Sequence, residues 1–379
     1  GQSTTVAGIE DMITEAISEK FPEEIWEWEC VDWSESFDKQ LQIRLAAGDI
    51  PDIIVGKAQD VYPCALRGIL SPISPDCYKY IDQQALDAVS MDGIVYGIPY
   101  NSLYQGVIYN KKIFEQFNLT PPATREELDE IVTILENNDI TPFAAHFMEA
   151  WQVGNTTMQF FANDIFRDNP GWGDDFRSGM VNFQDNELIK DCILQNQYIL
   201  DHSWEDALDI DQYECDIRFI KGMAAMYLTG SWSLQTVNNA QNEKSYGIFP
   251  YPNKEGDSYL IHETNMTFMK SKASIHPNLI DKILTELVTN SELIYDILDF
   301  TQSYPVIKNI SLKQKYCIDD DVAKYKDKNH IIEITSDNNQ LIWSFQNDLA
   351  MKQLEWLRGE LPIEKVLEYA DSKRQDSSY

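Results

Sequence analysis

Most of the residue sets in this chain that could do chemistry are incomplete. There is no phosphate-binding Walker loop, no GxGxxG fingerprint, no GxSxG elbow and no HExxH zinc helix. His262-Glu263 lacks the second histidine that a zinc helix needs. Asp206, Asp209, Asp211 and Glu214 are spaced like a calcium loop but miss its sixth-position glycine, so they read as a solvated acidic stretch. The 62 acidic residues leave room for a glycosidase-type carboxylate pair, but no local signature selects one. No catalytic residue, cofactor or metal is expected. What remains are rings, amides and charges at expected strand ends. They are Trp232 after Gly230-Ser231; Trp151 with His146 and Glu149 in HFMEAW; Tyr100 with Asn101; Lys57, Gln59 and Asp60; Glu263 and Asn265; and Tyr304 beside Gln302. Flat rings cover the apolar faces of a ligand, while amides and carboxylates bond its polar rim, more strongly when charged. Such groups make an apolar-walled binding cleft with a few fixed polar contacts. Each has a bland alternative: a core tryptophan at a helix start, a strand-end cap, or solvated surface.

The elements that must position these groups follow from periodicity. Ile9, Met12, Ile13, Ala16 and Ile17 recur at helical spacing, and Pro22 ends that helix. Ile25 to Trp33 is rich in β formers and reads as a strand. Ser34 caps a helix carrying Phe37, Leu41 and Leu45, which Gly48 terminates. Ile53 to Val55 is a short apolar run typical of a buried parallel strand. The alternation is α/β. Ligands in open α/β sheets lie beyond the carboxyl ends of strands, which makes the loop Gly56 to Asp60 a candidate. Tyr96 to Phe114 reads as strand, polar break at Asn101-Ser102, strand, then helix start. A chain that leaves one sheet for another in this way makes a hinge between two lobes, with Tyr100 and Asn101 facing the cleft. Asp92-Gly93 is a hairpin turn. Thr124 and Glu127 form a capping box. Further helices are expected over Gln152 to Phe166, Leu188 to Leu200, from Pro277, from Ser291 to Phe300, over Asn338 to Arg358 and from Pro362. Asn169 to Phe183 shows no clear period. Met223 to Leu228 and Tyr246 to Pro250 read as strands.

The bulk numbers agree with a folded, multi-domain protein. A chain of 379 residues accommodates two or three domains, and 43% hydrophobic content supports real cores. The formal charge of −32 argues against nucleic acid or an anionic membrane as partner, since phosphate binding needs clustered Lys and Arg. It favours a neutral or cationic ligand. No apolar run is long enough to span a bilayer. Six cysteines show no CxxC spacing. Cys30 is expected as a buried thiol, and Cys64–Cys77 or Cys192–Cys215 as bridges only in an oxidising compartment, free thiols being favoured.

Four strings in order carry a resemblance: LAAGDIPDII from Leu45, YGIPYNSLYQGVIYNKKIF from Tyr96, GMAAMYLTGSW from Gly222 and YGIFPYPN from Tyr246. Together they resemble the carbohydrate-binding, maltose-binding-like solute-binding proteins of ABC transporters, over nearly the whole chain. The resemblance implies a two-lobed periplasmic-binding-protein-like fold of type II with three interlobe crossovers. The N-lobe would hold 1–102 and 264–302, the C-lobe 105–259 and 305–379, with hinges near 101–105, 259–264 and 301–305. It makes Trp232 the principal stacking residue, places the Trp151 region along the cleft, and puts ligand contacts in the Lys57 to Asp60 loop. There Gln59 stands where maltose binders often carry an acid. The function implied is capture of a carbohydrate, an oligosaccharide by the number of aromatic candidates, and delivery to a permease by a monomer. Alternatives are a peptide, polyamine or sugar acid as ligand, or a secreted glycoside hydrolase. The family is exported and often lipid-anchored, so a leader, an anchor and a first strand are expected before Gly1.

Overall fold

A computed structural model describes residues 8–29, 43–44, 47–169, 171–234, 245–313, 315–333 and 341–377. The chain forms two compact units. The first comprises Gly1–Leu103, Glu263–Gln314 and Thr335–Asp337, and the second Tyr104–His262, Lys315–Ile334 and Asn338–Tyr379.

The first unit is built on a three-stranded antiparallel sheet. Strand β1 (Ile53–Lys57) pairs with Met266–Lys270, which pairs in turn with Gly97–Pro99. The Ile53 run is a strand, as its sequence indicates, but an antiparallel one. A short apolar run reports burial and not direction, which its partner sets from far along the chain. Strands β2 (Ser90–Met91) and β3 (Ile94–Val95) form the hairpin expected at Asp92-Gly93. Both turn residues have positive φ, as a type I′ turn requires. Helices pack on the sheet: Ile9–Lys20 buries Ile9, Ile13 and Ile17, and Pro277–Thr289 buries Ile280, Ile283, Leu284 and Leu287. The next helix, Ser291–Thr301, is capped by Asn290, whose side chain accepts from Leu293 N at 3.2 Å. Ile25 to Glu29 is not a strand. Ile25 is 91% exposed, and the Trp28 indole N–H donates to Thr14 Oγ1 at 2.7 Å. Cys30 and most of the helix expected from Ser34 lie outside the described residues.

Strands β4 (Gly97–Pro99) and β5 (Asn101–Asn110) are separated at Tyr100, not at Asn101-Ser102. β5 is one ten-residue strand, buried throughout, and the division between the units falls within it. In the second unit β5 lies between β7 (Ala224–Gly230) and β8 (Tyr246–Phe249), antiparallel to both. β6 (Thr141–Ala144) runs parallel to β7, and β12 (Ile331–Glu333) parallel to β9 (Leu260–Thr264). The remaining strands, β10 (Met266–Lys270) and β11 (Tyr304–Pro305), belong to the first unit. Helices Ala150–Phe161, Glu187–Asp201 and Trp343–Leu357 cover the second sheet with a core rich in phenylalanine. The helix Ala150–Phe161 continues as a π-helical segment, Ala162–Phe166. The stretch without clear period holds a short helix, Trp172–Ser178, in which Trp172 stacks on Phe176 at 5.3 Å. Thr124 caps Arg125–Glu136 by accepting from Glu127 N at 3.2 Å.

Candidate functional site

In the second unit an aromatic group gathers where β7 ends. Gly230 closes the strand, and Ser231–Ser233 form one 3-10 turn that returns the indole of Trp232 over Gly230. Trp232 stands edge-on to Trp151, with ring centroids 6.4 Å apart, and Trp151 lies 5.0 Å from the ring of His146. Both indoles are partly exposed, whereas His146 is fully buried. Glu149 is the hub of this group. One of its oxygens meets His146 Nδ1 at 2.9 Å and accepts from Gln212 N at 2.8 Å. Burial alone would raise the Glu149 carboxyl. The His146 bond and charge, the Gln212 N–H and Trp151 outweigh it and hold the group below its ordinary range. The buried polar atoms here without a partner include Nε2 of His146 and Nε1 of Trp232.

In the first unit the polar candidates converge on the end of β1. Asp60 reaches back over Gly56 and accepts from Lys57 N at 2.7 Å. Lys57 Nζ stands 3.8 Å from the buried Glu263. Asn265 carbonyl oxygen accepts from Ala58 N at 3.0 Å, and its N–H donates to Asn101 O at 2.9 Å. Lys57, Gln59 and Asn265 are half-buried. Asn101 itself is buried: its amide donates to Ser303 Oγ at 2.9 Å and its oxygen accepts from Met266 N at 3.0 Å. Tyr100 is wholly buried in the core of this unit, edge-on to Phe268 at 5.6 Å. Burial, then Asp296, raises its hydroxyl pKa far above normal. Both residues expected to face a ligand are thus buried within this unit. Because the strand break falls at Tyr100, Asn101 becomes the first residue of β5 and pairs with Pro305, beside the half-buried Tyr304 opposite Ser102.

Two further groups escaped the sequence reading. Gln105 lies in register with Gly230 across the β5–β7 ladder, and its side-chain oxygen accepts from Asn155 at 2.9 Å. Asn155 in turn accepts from Gln159 at 2.9 Å. Tyr104 packs 4.9 Å from His262, whose Nδ1 meets Glu333 at 2.5 Å. Only the pairing of β5 with β7 brings Gln105 beside the Trp232 turn, and no local pattern encodes that pairing. The acidic stretch serves structure: Asp211 caps helix Gln212–Ile220 through Glu214 N at 2.9 Å, and Asp206 takes both terminal nitrogens of Arg218. Among the described residues, no helix is long and apolar enough to cross a membrane. The Cys64–Cys77 and Cys192–Cys215 bridges do not form; Cys77, Cys192 and Cys215 are free thiols.

The profile described as bacterial extracellular solute-binding protein matches residues 2–292, well over half of the chain. The chain belongs to this family. Among curated relatives it is 21% identical over 266 residues to the multiple sugar-binding protein of Streptococcus mutans, covering 66% of this chain and 61% of that one. To the maltotriose-binding protein of Pyrococcus abyssi it is 23% identical, over 59% of this chain and 47% of that one. The chain therefore spans less than two thirds of these relatives' lengths. Among solved structures, a chitin oligosaccharide binding protein superposes with a TM-score of 0.83 at 19% identity, over 97% of this chain and 94% of that one. A Bacillus licheniformis sugar transporter protein in complex with stachyose gives 0.77 at 16%, over 98% and 97%. The fold is the type II solute-binding fold of these proteins.

Proposed function

We propose that this chain is the extracellular substrate-binding component of an ABC sugar importer, and that it captures a carbohydrate, an oligosaccharide by preference, for delivery to the permease. One observation carries this reading. Two half-exposed indoles, Trp151 and Trp232, stand edge to face at a strand end, the second with its orientation fixed over a glycine. Aromatic faces of this kind pack on the C–H faces of pyranose rings, and adjacent rings serve adjacent sugar units. The names of the relatives above point the same way. Lys57, Gln59, Asp60, Glu263, Asn265 and Tyr304 are the proposed polar contacts to sugar hydroxyls. Hinges near 101–105, 259–264 and 301–305, action as a monomer, export with a lipid anchor and capture without turnover belong to the same proposal.

Calorimetric titration with mono- and oligosaccharides tests it, with reducing ends assayed in the same mixtures. Binding of an oligosaccharide without release of reducing ends is expected. Binding of peptides or polyamines in place of sugars overturns the ligand class, and new reducing ends overturn pure capture.

A further inference from the structure

We infer that His146 and Glu149 are positioning residues for the Trp151 indole and make no contact with the ligand themselves. The inference rests on the sugar-capture reading for its consequence, not for its geometry. Glu149 is half-buried, and its carboxylate is already engaged by two donors from two places in the second unit, the His146 ring and the Gln212 backbone. A carboxylate only accepts, so His146 donates to it from Nδ1. The other ring nitrogen, Nε2, is buried and without a partner. A ligand-contacting histidine would turn a nitrogen outward, whereas His146 is fully buried between Trp151, at 5.0 Å, and Tyr227, at 6.0 Å and nearly perpendicular. The support runs as a relay from Glu149 through the His146 ring, which packs against Trp151, and Trp151 alone of the three stands beside Trp232. The Gln212 bond ties the relay to the first turn of helix Gln212–Ile220. A support of this kind, fixing the rotamer of a contact residue through a hydrogen-bonded ring packed behind it, is what a preorganised site requires.

The test has a readout without ligand and one with it. Two indoles this close couple their electronic transitions, and the sign and size of the coupled circular-dichroism band depend on their mutual orientation. His146→Ala is expected to abolish the band as Trp151→Ala does. His146→Phe, whose ring can pack where the imidazole did, is expected to keep more of it, and Glu149→Gln covers the case in which His146→Ala fails to fold. Sugar affinity is expected to fall about tenfold in His146→Ala, equivalent to 1.4 kcal/mol. His146→Ala added to Trp151→Ala is expected to cost nothing more, because the histidine acts through the indole. A band unchanged in both His146→Ala and Glu149→Gln overturns the inference, as does a full further loss in the double variant. If the band changes as expected while no sugar binds the unaltered protein, the positioning role stands and the sugar reading falls.

Discussion

The indole of Trp232 covers Gly230 so closely that a Cβ built on the glycine would stand 2.1 Å from the ring. Gly230 has φ −133° and ψ 176°, extended backbone that any residue adopts, so the glycine is required for room and not for conformation. Gly230→Ala should therefore evict the indole from its seat while leaving β7 intact. We expect sugar affinity to fall about tenfold or more, a destabilisation of about 1–3 kcal/mol from overpacking, and a changed near-ultraviolet spectrum. Titration and denaturant melts measure both effects.

Asn101 offers the opposite case. Its amide joins β5 to β10 and to the segment at Ser303, entirely within the first unit. Asn101→Ala leaves Met266 N without its acceptor in a buried place. We expect a loss of about 1–3 kcal/mol in stability. Affinity for ligand should change little in the folded fraction, as read by melts with and without sugar. A large loss of affinity at unchanged stability would return Asn101 to the ligand contacts.

How far the sequence revealed this arrangement depends on where each signal resides. Helices with local start signals, such as Thr124 before Arg125–Glu136 and Pro277 at the head of its helix, are legible because cap and period lie within one segment. The strand at Ile53 is legible too, but its antiparallel direction is not, because that is a property of β10. Ile25 to Glu29 has β-forming residues and is no strand, since propensity alone supplies no partner. Of the candidate site, the sequence marks Trp151 and Trp232 through the small residues and strand ends beside them. It does not mark the bonds of Gln105 and of Glu149 to Asn155 and Gln212, because both join distant segments.

Acid should weaken the fold through its bonded carboxylates. Burial works against ionisation of Glu149 and Asp191, but His146 and Trp151 at the first, and Lys254 and Arg125 at the second, hold both below their ordinary values of 4.5 and 3.8. A carboxyl depressed in the folded state stabilises the protein above its unfolded pKa and loses that contribution as the pH falls through the folded one. Asp164, raised by burial despite Arg125, works the other way and softens the fall. We expect the melting temperature to drop from about pH 4.5 downward. Glu149→Gln should show a shallower drop over that range. Parallel pH profiles for the two proteins would contradict this assignment.

Burial pushes the thiols of Cys77, Cys192 and Cys215 up, the latter two strongly, and that of Cys317 to about 12. Thiolate is the reactive species, so these four should resist alkylation at neutral pH in the native protein and react once it is unfolded. Peptide mapping after iodoacetamide treatment, with and without denaturant, checks this residue by residue. Rapid native labelling of Cys192 or Cys215 would contradict the packing described.

The central claim is that this chain captures a carbohydrate through the Trp232 platform, and one measurement addresses it most directly. Thermal melting and intrinsic tryptophan fluorescence are followed across a panel of mono- and oligosaccharides for the unaltered protein and for Trp232→Ala. A ligand bound only by the native state raises the melting temperature, by about 2.7 kcal/mol of added stability at a hundred times its dissociation constant. The expected result is that an oligosaccharide class shifts both signals in the unaltered protein and neither in Trp232→Ala. A shift with peptides or polyamines and with no sugar, or a sugar response that survives intact in Trp232→Ala, would contradict it.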